Sequence, residues 1–115
     1  MTSGKDGIEV RVTDDGFVEV EKVEHQFGVN VGSTLRIAAS SASDFVAKAR
    51  AVHADEGPIR SELTVGDDVL TFRIGGPEQA PILTIINRRA DGTESTVALS
   101  WPMVTGVVDQ VADLA

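Results

Sequence analysis

The sequence predicts an α+β fold of two ββββα pseudo-repeats, antiparallel sheets each packed by one helix, and three observations carry that prediction. Short runs of alternating apolar and polar residues are separated by turns bearing Gly and Asp, the pattern of half-buried strands. Twice this alternation gives way to an apolar stripe at helical spacing: Ala42, Phe45, Val46, Ala49 and Val52, then Val104, Val107, Val108, Val111 and Leu114. Thr34-Leu35 ahead of the first stripe corresponds to Thr96-Val97 ahead of the second, so the halves 7–57 and 58–115 share one plan, in pattern and not in residue identity. At 115 residues the chain is expected to be a single domain, 1–115, with residues 1–6 a flexible leader.

Taken in order, Ile8, Val10 and Val12 alternate with Glu9 and Arg11, and Val18 and Val20 with Glu19 and Glu21, across Asp14-Asp15-Gly16, which reads as a hairpin. Phe27, Val29 and Val31 lead through a proposed Gly32-Ser33 turn to Leu35 and Ile37, a second hairpin. The joint at Glu24-His25-Gln26 has no Gly or Pro, so the second and third strands are either separate or one bent strand. Ser41 and Asp44 resemble a capping box opening the first helix, and Gly57-Pro58 closes it. Lys48 and Arg50 fall on its solvated side.

In the second half Leu63 and Val65 pass through Gly66-Asp67-Asp68 to Leu70, Phe72 and Ile74. A breaker-rich connector, Gly75 to Pro81, enters the strand of Leu83, Ile85 and Asn87. Ala90-Asp91-Gly92-Thr93 turns the chain into Thr96-Val97-Ala98-Leu99, and Ser100-Trp101-Pro102 opens the last helix. Gly106 inside that helix costs about 1 kcal/mol relative to alanine, so either a close neighbour needs the space or packing sustains the helix.

The 18 acidic and 10 basic residues leave a net charge of −8, which opposes unaided grip on a phosphate backbone. With no cysteine, the sequence excludes disulfides, thiolate nucleophiles and thiolate metal sites. No apolar run approaches the ~20 residues of a spanning helix, so a soluble, cytoplasmic protein without membrane partners is expected.

His25 and His53 are the only histidines. His53-Ala54-Asp55-Glu56 offers three potential ligands, but a histidine near a helix C-terminus is more simply explained by the helix dipole. The doublets Asp14-Asp15 and Asp67-Asp68 sit in turns, where Asp bonds nearby backbone, and nothing implies a pocket that would raise one of their pKa values. Gly75-Gly76-Pro77 lacks the lysine and following helix of a phosphate-cradling loop. Arg73, Arg88, Arg89 and Arg11 form a potential basic strip, competing with pairing to Glu9, Glu19, Glu21 and Glu94. Ile82 and Ile86 lie opposite Leu83 and Ile85, making their strand apolar on both sides, so a second sheet, a helix or another subunit is expected to cover it. Trp101 is expected either to border that surface or to anchor the strand-to-helix corner.

The strand 82–86, the Asp91-Gly92 turn and Thr96-Val97-Ala98-Leu99-Ser100 running directly into the helix 103–114 together resemble single-stranded nucleic-acid-binding folds of the Whirly, PUR-repeat and transcriptional-coactivator p15 type. That resemblance implies curved sheets brought face to face by dimerisation or by joining of repeats, with basic and aromatic sheet surfaces holding unpaired strands.

The expected function is a non-catalytic, acidic protein-interaction module, acting as a homodimer or as an adaptor or inhibitor of a basic partner, through Ile82, Ile86 and Trp101. No catalytic, cofactor-binding or metal-binding residue is assigned. The alternative is a single-stranded nucleic-acid-binding protein using Arg73, Arg88, Arg89 and Phe17. A third possibility is an enzyme whose site assembles between subunits around His25 or His53.

Overall fold

In the computed structural model, residues 7–26, 29–55 and 59–114 are described, without the side chains of Gly7, residues 24–26, 29–31 and Asp55. Strands β1 (Gly7–Val12), β2 (Phe17–Gln26) and β3 (Val29–Ala38) lead through a 3-10 turn, Ala39–Ser41, into helix α1 (Ala42–Asp55). Strands β4 (Arg60–Val65), β5 (Asp68–Gly75), β6 (Ile82–Arg88) and β7 (Glu94–Ser100) lead into helix α2 (Trp101–Leu114). There are two antiparallel sheets, β1-β2-β3 (sheet A) and β4-β5-β6-β7 (sheet B), as the α+β prediction requires.

The first half differs from the prediction in its strand count. Gly32-Ser33 is not a turn: Gly32 pairs with Val23 and Ser33 with Lys22 inside the single strand β3, so sheet A has three strands among the described residues. The physical reason is parity. Val29, Val31, Ser33, Leu35 and Ile37 keep one alternating phase through Gly32, and an unbroken phase is what one continuous strand requires. β2 in turn runs on through Glu24-His25-Gln26, which lacks any breaker, and β2 and β3 pair as separate antiparallel strands. The leader 1–6, Phe27 and the Gly57-Pro58 stop lie outside the described residues.

The two Asp-Gly turns share one construction. At the first, Thr13 N–H donates to the Phe17 carbonyl at 2.7 Å and Gly16 N–H to the Thr13 carbonyl at 3.1 Å. At the second, Arg89 N–H donates to Thr93 and Gly92 N–H to Arg89, both at 2.9 Å. Gly16 and Gly92 hold φ of 87° and 90°, a left-handed conformation that costs glycine nothing and that a side chain would strain.

Both helices cover the same side of the sheets and touch each other. One buried cluster joins Val18, Val20, Leu35 and Ile37 of sheet A to Leu70, Phe72, Leu83, Ile85, Val97 and Leu99 of sheet B, roofed by the predicted stripe of α1 and by Val104, Val107, Val108 and Val111 of α2, while Leu114, placed in that stripe from sequence, is exposed at the helix end. The Phe45 ring stacks on Phe72 with centroids 6.0 Å apart, fixing α1 over the centre of sheet B. Trp101 N–H donates to the Pro81 carbonyl at 3.1 Å, tying the start of α2 to the entry of β6. A 3-10 turn stands where the Ser41 cap was expected; Ser41 is its last residue and is buried, and Ala42 N–H donates to the Ala39 carbonyl.

Gly106 is settled by its surroundings: a Cβ there would meet no described atom within 4 Å, so packing, not a close neighbour, sustains this helix. Gly106→Ala is expected to stabilise the protein by about 0.5–1 kcal/mol in urea denaturation, through lost backbone freedom of the unfolded chain. Phe72→Ala, which empties the centre of the core, is expected to cost about 3–5 kcal/mol. A destabilising Gly106→Ala would show that the space is filled.

Candidate functional site: the outer face of the four-stranded sheet

Alternation along sheet B sends Leu70, Phe72, Leu83, Ile85, Val97 and Leu99 inward and Val69, Thr71, Arg73, Ile82, Thr84, Ile86 and Arg88 to the face away from the helices. Register then lines these outward residues into rows. Arg60 lies opposite Arg73, which lies opposite Thr84; Glu62, Thr71, Ile86 and Thr96 form the next row; Thr64, Val69, Arg88 and Glu94 form the last. Between these rows the face forms a hollow of about 460 Å³ lined by Arg60, Arg73, Arg88 and Glu94 around Thr71 and Ile86.

Three cations therefore converge on one apolar floor within a strongly acidic protein. Arg88 Nε pairs with Glu94 Oε2 at 3.2 Å and Arg60 with Glu62 at 3.5 Å; both pairs are exposed and each contributes little to stability. Arg73 is exposed and makes no ion pair with any described residue. Ile59 carbonyl accepts from Ile74 N–H at 2.7 Å, so the adjoining Arg60 and Arg73 form a non-hydrogen-bonded pair, the cross-strand position where side chains come closest.

Of the residues singled out from sequence, Arg73, Arg88 and Ile86 meet in this hollow, and Ile82, 37% exposed, lies on the same face one row beyond it. Arg60 was missed. Its signal was present, because Leu63 and Val65 point inward and place Arg60 and Glu62 outward by parity, but only the β4–β5 register sets it opposite Arg73.

Arg89 and Phe17 lie elsewhere. Adjacent positions on a strand face opposite ways, so Arg89 cannot join Arg88. The Arg89 and Arg36 guanidinium carbons lie 4.4 Å and 4.2 Å from the Phe17 ring centroid, so that ring already carries two cations and offers no open stacking surface. Trp101 sits in the helix layer, its ring 4.7 Å from that of His53, and His53 Nε2–H donates to the Trp101 carbonyl at 3.1 Å. It anchors the strand-to-helix corner and is not part of the Ile86 surface. The His25 side chain, the Asp55 side chain and Glu56 lie outside what is described, and no three metal-ligating side chains converge among the described residues.

Arg11 follows the pairing expected for it, contacting Glu9, Glu19 and Glu21 at 3.0–3.2 Å on the outer face of sheet A. Arg36 extends this ladder: its Nη2 bonds Asp15 at 3.0 Å, and its Nε lies 2.9 Å from Glu19 Oε2, an ion pair without hydrogen-bond alignment.

The turns gather at one end, where Ser40, Asp67, Asp68, Asp91 and Arg89 line an open cleft of about 450 Å³. Asp91 there, and Asp15 in the first turn outside the cleft, are hydrogen-bond acceptors. Asp91 takes bonds from the Thr93 hydroxyl and N–H, which hold its carboxyl below the usual range, and Asp15 is lowered by the Thr13 hydroxyl and then by Arg36. Such groups are ionised at neutral pH and poorly suited to donate a proton. Asp68 pairs loosely with Arg89, at 3.8 Å.

Beneath the cleft the facing edges β3 and β7 are joined by side chains. Asn87 Nδ2 donates to the Arg36 carbonyl at 2.6 Å and Arg36 N–H donates to Ser95 Oγ at 2.9 Å, with Asn87 opposite Ser95 in register. At the far end Lys22 Nζ donates to the Ala98 carbonyl at 2.8 Å.

The sequence matches no protein-family model and no curated protein. No described helix is long and apolar enough to cross a membrane.

Two outcomes are expected. Asn87→Leu, which leaves the Arg36 carbonyl only the 3.4 Å bond from Ser95 Oγ, and Ser95→Ala, which strands the Arg36 N–H, should each cost about 1–3 kcal/mol, and a double-mutant cycle should show them coupled; strict additivity would mean that the bonds act separately. Asp15, whose folded pKa is below its unfolded value of about 3.9, contributes stability that is present above that value and lost as pH falls through the folded pKa. Asp15→Asn should therefore lower the thermal midpoint near neutral pH, and the difference should shrink as the pH falls through the folded pKa.

Proposed function

We propose that this chain is a non-catalytic protein-interaction module whose docking surface is the outer face of the four-stranded sheet. The observation that carries this reading is the hollow itself: Ile86 and Val69, uncovered by either helix, lie among three guanidinium groups, one of which has no acidic partner among the described residues. An apolar floor supplies contact area, and cations at its rim supply direction and specificity.

The dimensions of the face speak to the size of the partner. Four strands about 4.8 Å apart, each about seven residues long at about 3.3 Å per residue, span roughly 400 Å² in projection. A face of that width suits an extended segment laid along it, which supports a segment-sized, reversibly bound partner.

Binding of a single nucleic-acid strand finds some support in Arg60, Arg73 and Arg88, which could follow a phosphate backbone. It lacks a platform, because successive bases need rings to stack on and no aromatic residue lines the hollow.

A peptide display selection against the whole protein, followed by chemical-shift mapping of the enriched peptides, tests the proposal. Peptides should perturb Val69, Thr71 and Ile86 and lose binding on Ile86→Glu, an exposed-face change that leaves the core intact. Enriched peptides that map instead to the turn-end cleft around Asp67 and Asp91 would remove the reading.

A further inference from the structure

We infer that the hollow recognises an acidic peptide segment, one carboxylate seated between Arg60 and Arg73 and a neighbouring aliphatic side chain resting on Ile86. This rests on the docking face proposed above and specifies what docks there.

The argument begins with the paired cations. Like charges directly opposite each other on adjacent strands are destabilising, more so at the close, non-hydrogen-bonded spacing that Arg60 and Arg73 occupy. Glu62 answers only Arg60, at 3.5 Å, and Glu94 is engaged by Arg88. One positive charge is left over at Arg73. A carboxylate entering there relieves the repulsion and accepts from guanidinium forks on either side, a geometry that a lysine pair would not reproduce.

Next to this pair the floor turns apolar. Ile86 is diagonal to Arg73, one row away, with Thr71 between them across the sheet. A ligand with its charge at Arg73 and an aliphatic group on Ile86 must space the two by about one strand repeat, ~7 Å, which an extended peptide with an acidic and an aliphatic residue two positions apart does. Arg88 and Glu94 close the far side, where a second acidic residue of the peptide would compete with Glu94 for Arg88.

A phosphodiester strand fits these features less well. The two rings nearest to qualifying as platforms are occupied, Phe17 by Arg36 and Arg89 and Trp101 by His53. A polyanion would also meet the −8 net charge of the protein over its whole length, whereas a short peptide meets mainly the local cations.

The test uses the whole protein and four fluorescein-labelled probes: a peptide of Glu-Ser-Leu-Ser repeats, which puts glutamate and leucine on one face of an extended chain, its glutamine-for-glutamate and lysine-for-glutamate counterparts, and oligothymidine, titrated by fluorescence anisotropy at low and high salt. The acidic peptide should bind at least about tenfold more tightly than the glutamine version. Added salt should weaken that binding. Arg73→Ala should remove about tenfold of the affinity and Arg73→Lys should restore only part of it, with thermal unfolding showing both variants folded. Equal affinity for the acidic and glutamine peptides, or an unchanged affinity in Arg73→Ala, overturns the inference. Tighter binding of oligothymidine that depends on Arg73 overturns it in favour of nucleic acid. Shift mapping separates the two levels of the argument: glutamine or lysine peptides that bind at Val69 and Ile86 keep the docking face while removing the acidic ligand, and perturbation confined to other surfaces removes both.

Discussion

The structure depends on how the backbone N–H and C=O of one residue, Arg36, are held. β3 and β7 are the inner edges of two separate sheets, and an edge strand presents unpaired N–H and C=O groups that need partners. Here the partners come from side chains: Asn87, 1% exposed, supplies the donor and Ser95 the acceptor, from directly opposed positions on β6 and β7. The sheets are coupled without merging their ladders. That junction lets both present their apolar faces to one pair of helices while the outer faces keep different characters, a charge ladder on sheet A and a cation-rimmed hollow on sheet B.

The junction also organises its surroundings. Arg36 reaches from the held backbone to Asp15, Glu19 and the Phe17 ring, and Arg89, leaving β6 two residues after Asn87, reaches the same ring from the other sheet. Ala39 N–H donates to the Gly16 carbonyl at 2.9 Å, closing the first turn against the end of β3. The Asn87 Oδ1 has no partner among the described residues. A group left unsatisfied in this way costs on the order of 1–3 kcal/mol, so the Arg36 contact on the other half of the amide is gained at some expense.

Much of this was legible in the sequence because periodicity is local. The stripes of α1 and α2, the Asp-Gly turns, the burial of Leu83 and Ile85 and the outward placement of Ile82 and Ile86 all follow from counting residues along one segment. Gly32-Ser33 has the composition of a turn, yet Val29, Val31, Leu35 and Ile37 share one parity across it, and phase prevails over composition there. The basic strip was half legible. Parity alone separates Arg88 from Arg89, whereas Arg60 beside Arg73 follows only from β4–β5 pairing, which no single strand encodes. The engagement of Phe17 by two arginines, and of Trp101 by His53, depends on how the halves are docked and has no local signature.

The outer borders of the two sheets, β1 and β4, stand unpaired among the described residues. An open border of this kind is a template on which a like molecule can add its own strand and begin a fibre. β1 turns Glu9 and Arg11 outward and β4 turns Arg60 and Glu62, and burying these charges against a growing assembly would be costly. Arg60 thus guards an edge as well as lining the hollow. A neutral, β-prone residue there would both discharge the rim and leave a border open to polymerisation.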